Sequence, residues 1–180
     1  MAETARRMSA LEGRAYEGSG IALTPTAPAS RLSLRAPEAS LSALSKALGL
    51  TLPRKPKTTA ADGGRAALWL GPDEWLIIDE KGADLAALCA KVSALHSAVD
   101  ISHRNTAVLV AGARAEDVLG AGCPQDLSPA RFPVGAASRT VFGKAEIVLW
   151  RTGEEAFRIE CWRSFSDYVF SLLEKAAREA

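Results

Sequence analysis

The chain has 180 residues, 48% of them hydrophobic, with 22 Lys and Arg against 21 Asp and Glu. That length suits one domain, or two small ones closely packed, around a real core. The near-neutral balance gives no electrostatic ground for a nucleic acid or an anionic membrane as partner, and no run approaches the ~18–20 apolar residues of a membrane helix.

Residues 1–30 have no sustained hydrophobic period and contain Gly13, Gly18, Gly20, Pro25 and Pro28. The composition predicts a flexible N-terminal arm over residues 1–29 and a folded domain over 30–180. Met1 to Gly20 mixes Arg6, Arg7 and Arg14 with Glu3, Glu12 and Glu17 and lacks the apolar segment of a secretion signal, so a cytoplasmic location is expected.

Arg31-Leu-Ser-Leu-Arg35 alternates strictly and predicts a half-buried strand. Pro37 suits a first helical turn, Leu41, Leu44 and Leu48 repeat on one face, and Gly49 suits the stop. Thr51 to Arg65, with Pro53, Pro56, Gly63 and Gly64, reads as a long exposed loop. Ala66–Leu70 and Trp75–Ile78 form a hairpin about Gly71-Pro-Asp-Glu74. Ala83 to Leu95 carries Leu85, Leu88, Val92 and Leu95 at helical steps and predicts a helix.

The centre of the chain, Ala98 to Gly112, holds two strand-like runs around Asp100, Ser102, His103, Arg104 and Asn105. On strand alternation Asp100, Ser102 and Arg104 share a face, a pattern for a hydrogen-bonded joint between two halves or for a polar site. Ala115 to Gly120 suits a short helix. Ser138–Phe142, Ala145–Arg151 and Ala156–Trp162 read as an antiparallel meander. The last helix is expected to start at a Ser164 cap, with Asp167 at its third position and Phe165, Tyr168, Val169, Leu172, Leu173 and Ala176 as its apolar stripe. The order predicts an α+β fold of two ferredoxin-like halves with antiparallel sheets, about 30–103 and 104–180.

Ser102 and His103 are neighbours on opposite faces of an extended chain, so they cannot pair, and Ser102 lacks the G-x-S-x-G elbow. Cys123 has no base or dense positive charge near it in sequence. Cys89, Cys123 and Cys161 are widely spaced, with only His96 and His103 to join them, which argues against a metal site or a disulfide framework. No phosphate-binding G-x-x-x-x-G-K-[ST] occurs. The residues themselves thus nominate no catalytic, cofactor or metal site.

Six segments in order carry a family resemblance: Gly71-Pro-Asp-Glu-Trp75, Asp100-Ile-Ser-His-Arg104, Cys123-Pro-Gln-Asp-Leu127, Phe132-Pro-Val-Gly135, Arg139-Thr140 and Arg163-Ser-Phe-Ser-Asp-Tyr168. Each is weak alone. Together, over residues 30–178, they resemble the gamma subunit of heterotetrameric sarcosine oxidase. The resemblance implies a complex that demethylates sarcosine oxidatively to glycine, giving hydrogen peroxide and either formaldehyde or methylene-tetrahydrofolate. It implies that FAD, FMN, NAD and tetrahydrofolate belong to partner subunits, and that this chain is a non-catalytic partner of the alpha subunit, with beta and delta subunits alongside. It implies a fold similar to the folate-binding domains of aminomethyltransferase, the glycine-cleavage T-protein.

Asp100-Ile-Ser-His103 is similar to the T-protein's Asp-Val-Ser-His. Where that family has Gly-Gly-x-x-Asp-Asp, this chain has Gly143-Lys-Ala-Glu146, and Trp162 falls about where it has a folate-serving Asn. These departures favour a fold kept for packing over folate binding. The rival reading, a stand-alone folate-binding module, predicts a pocket lined by Asp100, Arg104 and Glu146. A third, a hydrolase using Cys123 or His103, is disfavoured by the geometry above.

Overall fold

The computed structural model describes residues 9–18 and 20–179. Its strands are β1 (Tyr16–Gly18), β2 (Ile21–Pro25), β3 (Ser30–Arg35), β4 (Thr59–Asp62), β5 (Arg65–Gly71), β6 (Glu74–Asp79), β7 (Ser97–Asp100), β8 (Asn105–Ala111), β9 (Ala137–Phe142), β10 (Ala145–Gly153) and β11 (Ala156–Trp162). Its α-helices are α1 (Leu41–Leu48), α2 (Leu85–Cys89), α3 (Ala115–Gly120) and α4 (Ser166–Glu179).

The strands form two antiparallel sheets, ordered β4-β5-β6-β3-β7 and β1-β2-β8-β11-β10-β9. Read from the hairpin edge, the second runs β9-β10-β11-β8-β2, which repeats the first position by position. In each, one helix follows the inner strand (α1 after β3, α3 after β8) and another follows the third (α2 after β6, α4 after β11). Both halves are ferredoxin-like, as the element order predicts; β4 is an extra edge strand on the first, and β9 and β1 are extra edge strands on the second.

Strand alternation divides the side chains into three cores. On β6, Trp75 and Ile77 pack with Leu41, Leu44 and Leu48 of α1 and Leu85 of α2. Leu76 and Ile78, on the other face of that strand, meet Ala137 and Val148 of the opposite sheet. On the far side, Ile147, Leu149, Phe157 and Ile159 pack with Val118 of α3 and Val169, Phe170 and Leu173 of α4. The layers therefore run helices, sheet, sheet, helices, and only a thin apolar and ionic layer separates the sheets.

Four expectations are corrected. The arm over residues 1–29 is not loose where it is described: β2 pairs with β8 and takes in the second half the position that β7 holds in the first, and Leu11, Ile21 and Leu23 are buried in its core. The part of that arm over residues 1–8 lies outside the described residues. The loop Thr51–Arg65 contains β4, which turns back into β5 through Gly63 and Gly64, both at positive φ, the hairpin geometry that glycines favour. The helix expected to reach Leu95 stops at Cys89. A helix ending at Leu95 would leave His96 alone to reverse the chain into β7. Finally, a 3-10 turn over Arg163–Phe165 precedes α4, so Ser164 is not the helix cap; Ser166 Oγ donates to the Arg163 carbonyl at 2.8 Å.

Candidate functional site

The polar centre of the chain is a joint between the sheets. β7 ends at Asp100 and a turn leads into β8. Asp100 accepts from the Ser102 amide at 2.8 Å, and the Ser102 hydroxyl and amide hold its carboxyl below the usual range. Ser102 Oγ in turn accepts from the Arg31 amide at 2.9 Å, and the Ile101 amide donates to the Arg31 carbonyl at 2.9 Å. The side chains of Ile101 and Arg31 are thereby fixed between the sheets. Because the strand stops at Asp100, alternation does not carry on to Arg104, and the two diverge. Asp100 borders a hollow beside α2 with Ser30 and Asp84.

Arg104 instead lines the cleft between the sheets, with Glu74, Arg139, Glu146, Glu160 and Trp162. Its guanidinium lies 5.2 Å from the Trp162 ring centroid. Of the three residues proposed for a folate pocket, the structure brings together Arg104 and Glu146 and leaves Asp100 out. Trp162 and Glu146, the two positions where the chain departs from the T-protein, do share this cleft.

Ion pairs close it. At the mouth, Glu74 accepts two bonds from Arg139 of the opposite sheet, one at 3.3 Å, and one from Arg35 at 3.0 Å. Burial pushes the Glu74 carboxyl up, but these guanidiniums outweigh it and hold it below its ordinary value. Deeper, Arg31 grips Glu160 through Nε at 2.6 Å and Nη2 at 3.2 Å. Arg158 Nε reaches the same carboxylate at 2.9 Å, while Arg158 Nη1 reaches Glu80 at 2.7 Å. Arg31, Arg158 and Glu160 are each at most 3% exposed. What remains open is about 50 Å³. Liquid water occupies ~30 Å³ per molecule and ligand pockets start near ~300 Å³, so the space left in the cleft is on the scale of a water molecule, well below that of a ligand pocket.

This network was not anticipated from the sequence. Its signal is Arg158 and Glu160 at alternate positions among Phe157, Ile159 and Cys161: two charges facing one way on a strand otherwise built for a core.

The remaining candidates fall apart spatially. Cys123 is 5% exposed in the helix-side core, with Thr140 Oγ1 at 4.0 Å as its hydrogen-bond partner. His103 borders a different hollow, with Arg31 and Thr26. Burial pushes the Cys89 thiol up, and burial together with Glu160 pushes Cys161 up to about 12. Neither is poised as a nucleophile. Among the described residues no group of three or more His, Cys, Asp and Glu is placed to hold a metal ion, and no helix is long and apolar enough to cross a membrane.

Two stacked ferredoxin-like sheets, flanked by helices, define an aminomethyltransferase-type fold. The glycine cleavage system aminomethyltransferase T from Bartonella henselae superposes with a TM-score of 0.62 over 89% of this chain and 47% of that one, at 12% identity, a likeness of fold alone. Within that fold the match narrows: the model of the sarcosine oxidase gamma subunit family covers residues 34–179, and the chain belongs to that family. It is similar to the sarcosine oxidase subunit gamma of Corynebacterium sp. strain P-1, 36% identical over 76% of this chain and 69% of the relative. Against the subunit gamma of strain U-96 it is 34% identical over 95% and 86%. A chain of the heterotetrameric sarcosine oxidase from Corynebacterium sp. U-96, in complex with pyrrole 2-carboxylate, superposes with a TM-score of 0.85 at 34% identity, covering 94% of this chain and 90% of that one.

Proposed function

We propose that this chain is the gamma subunit of a heterotetrameric sarcosine oxidase and serves there as an assembly and stabilising subunit, with the chemistry carried elsewhere. The observation that carries the second clause is the cleft: the place where the two sheets part is lined by Glu74, Arg139 and Glu160, the last held by Arg31, and leaves about 50 Å³ open.

Family membership and the U-96 superposition support the assembly role. The docking partner is the alpha subunit, with beta and delta subunits completing the complex in the cytoplasm. FAD, FMN, NAD and tetrahydrofolate reside in those partners, where the flavins supply the oxidation of the amine. The residues of this chain do not fit folate, because Asp100 does not converge with Arg104 and Glu146, and Trp162 lines the cleft those two share. Against the stand-alone folate-binding reading, Asp100 borders a different hollow from Arg104 and Glu146.

The test is titration of the isolated chain with tetrahydrofolate, read by tryptophan fluorescence, since Trp162 reports on the cleft. No saturable change is expected. A saturable quench that Arg104→Ala removes would contradict the non-catalytic reading.

A further inference from the structure

The rim of the cleft continues into a strip of exposed aromatic surface. Trp162, Phe165 and Tyr168 are 42%, 41% and 42% exposed, where large aromatic side chains are otherwise core material. They form one run. Arg104 lies over the Trp162 ring, and the Trp162 and Phe165 centroids are 6.2 Å apart. Tyr168 follows Phe165 by three residues, and its hydroxyl accepts from the Lys144 amide at 3.1 Å.

The strip is held in place by backbone. The Arg163 amide donates to the Arg104 carbonyl at 2.7 Å, tying the joint to the start of α4. The 3-10 turn over Arg163–Phe165 buries none of its residues and so leaves Phe165 outside. Little ordering remains for a partner to impose, which favours binding.

Charge indicates what fits there. Neither Arg104 nor Lys144 has an ion-pair partner among the described residues; Arg104 Nε meets only the amide oxygen of Asn105, at 3.3 Å. The nearby acids are engaged elsewhere, Asp167 with Arg14 at 3.3 Å and Glu146 near Arg139 at 4.0 Å. A guanidinium held over an aromatic face keeps its in-plane N–H donors for a carboxylate. Aromatic side chains and arginine are also the types that carry binding at interface centres.

We propose that the strip from Arg104 through Trp162, Phe165 and Tyr168 to Lys144 is a docking surface, and that it receives an acidic, partly apolar segment of another subunit of the oxidase. This rests on the assembly reading above.

The test is co-expression of the tagged chain with the other subunits of its complex, comparing wild type with Arg104→Glu, Phe165→Ser and the control Val134→Ser, whose residue is exposed elsewhere. Wild type and the control should retain the partners. The two strip variants should retain them about tenfold less or worse, at an unchanged melting temperature. Retention by wild type should weaken with salt, and less steeply in the Arg104→Gln/Lys144→Gln double variant. Full retention by both strip variants would overturn the surface while leaving the assembly reading intact. A wild-type chain that captures no partner would overturn both.

Discussion

Arg31 of one sheet and Glu160 of the other meet in a two-pronged ion pair, at 2.6 and 3.2 Å, with their side chains 2% and 1% exposed. Glu160 also accepts from Arg158, whose Nη1 reaches Glu80, so Glu160 is the buried carboxylate shared by two buried guanidiniums. Removing one partner of a buried charge network costs ~3–5 kcal/mol because the other charges stay behind. Glu160→Ala should therefore be severely destabilised in urea unfolding, and Glu160→Gln also strongly so. A Glu160→Ala chain with a wild-type midpoint would contradict this view of the sheet interface.

Glu74 predicts a pH dependence. Its folded carboxyl titrates below its ordinary value, so its stabilising share is present above that value and disappears as pH falls through the folded one. Thermal melts of the wild type should therefore lose stability on acidification below pH ~4.5. Glu74→Gln should be less stable at neutral pH and should converge on the wild type in acid. Parallel curves at all pH values would contradict the role given to this carboxylate.

Leu23 tests the N-terminal strand. It is fully buried, with Val110 as its register partner, so Leu23→Ala should cost ~2–5 kcal/mol. Gly112→Ala should disturb the same strand, because a Cβ there would lie 2.2 Å from the Gly20 carbonyl oxygen. Both are read from chemical denaturation. Effects no larger than those of an exposed substitution would return the segment to a loose arm.

The three cysteines should be silent. All are buried and free, and burial pushes the Cys89 and Cys161 thiols up. A thiol reagent at pH 8 should find none in the native chain and three after denaturation. Rapid labelling of Cys123 in the native chain would reopen the question of a reactive thiol.

Much of this was legible in the sequence because its signals are local. The Arg31–Arg35 alternation, the Leu41, Leu44, Leu48 stripe closed by Gly49, the Trp75 hairpin and the C-terminal meander all appear where expected. The αL conformation of Gly49 is the predicted stop. What escaped depends on distant partners. Ile21 and Leu23 alternate over too short a run to declare a strand until β8, some ninety residues on, is known to lie beside them. Asp62-Gly-Gly64 is a hairpin signal that the surrounding prolines and lysines obscured. The apolar repeat up to Leu95 suggested a longer helix, but Leu95 is 77% exposed and its carbonyl accepts from Ser40 Oγ at 2.7 Å. At the site, Arg104 and Glu146 could be nominated by type, whereas Arg31, Glu160 and Glu74 could not, because their partners belong to the opposite sheet.

The most direct test of the central claim is co-purification. The tagged chain, expressed with the other subunits of its oxidase, should elute as a yellow multi-subunit species that consumes oxygen with sarcosine, while the chain alone stays colourless and inactive. A colourless chain that never captures a flavoprotein, or an isolated chain that itself turns over sarcosine, would contradict the account.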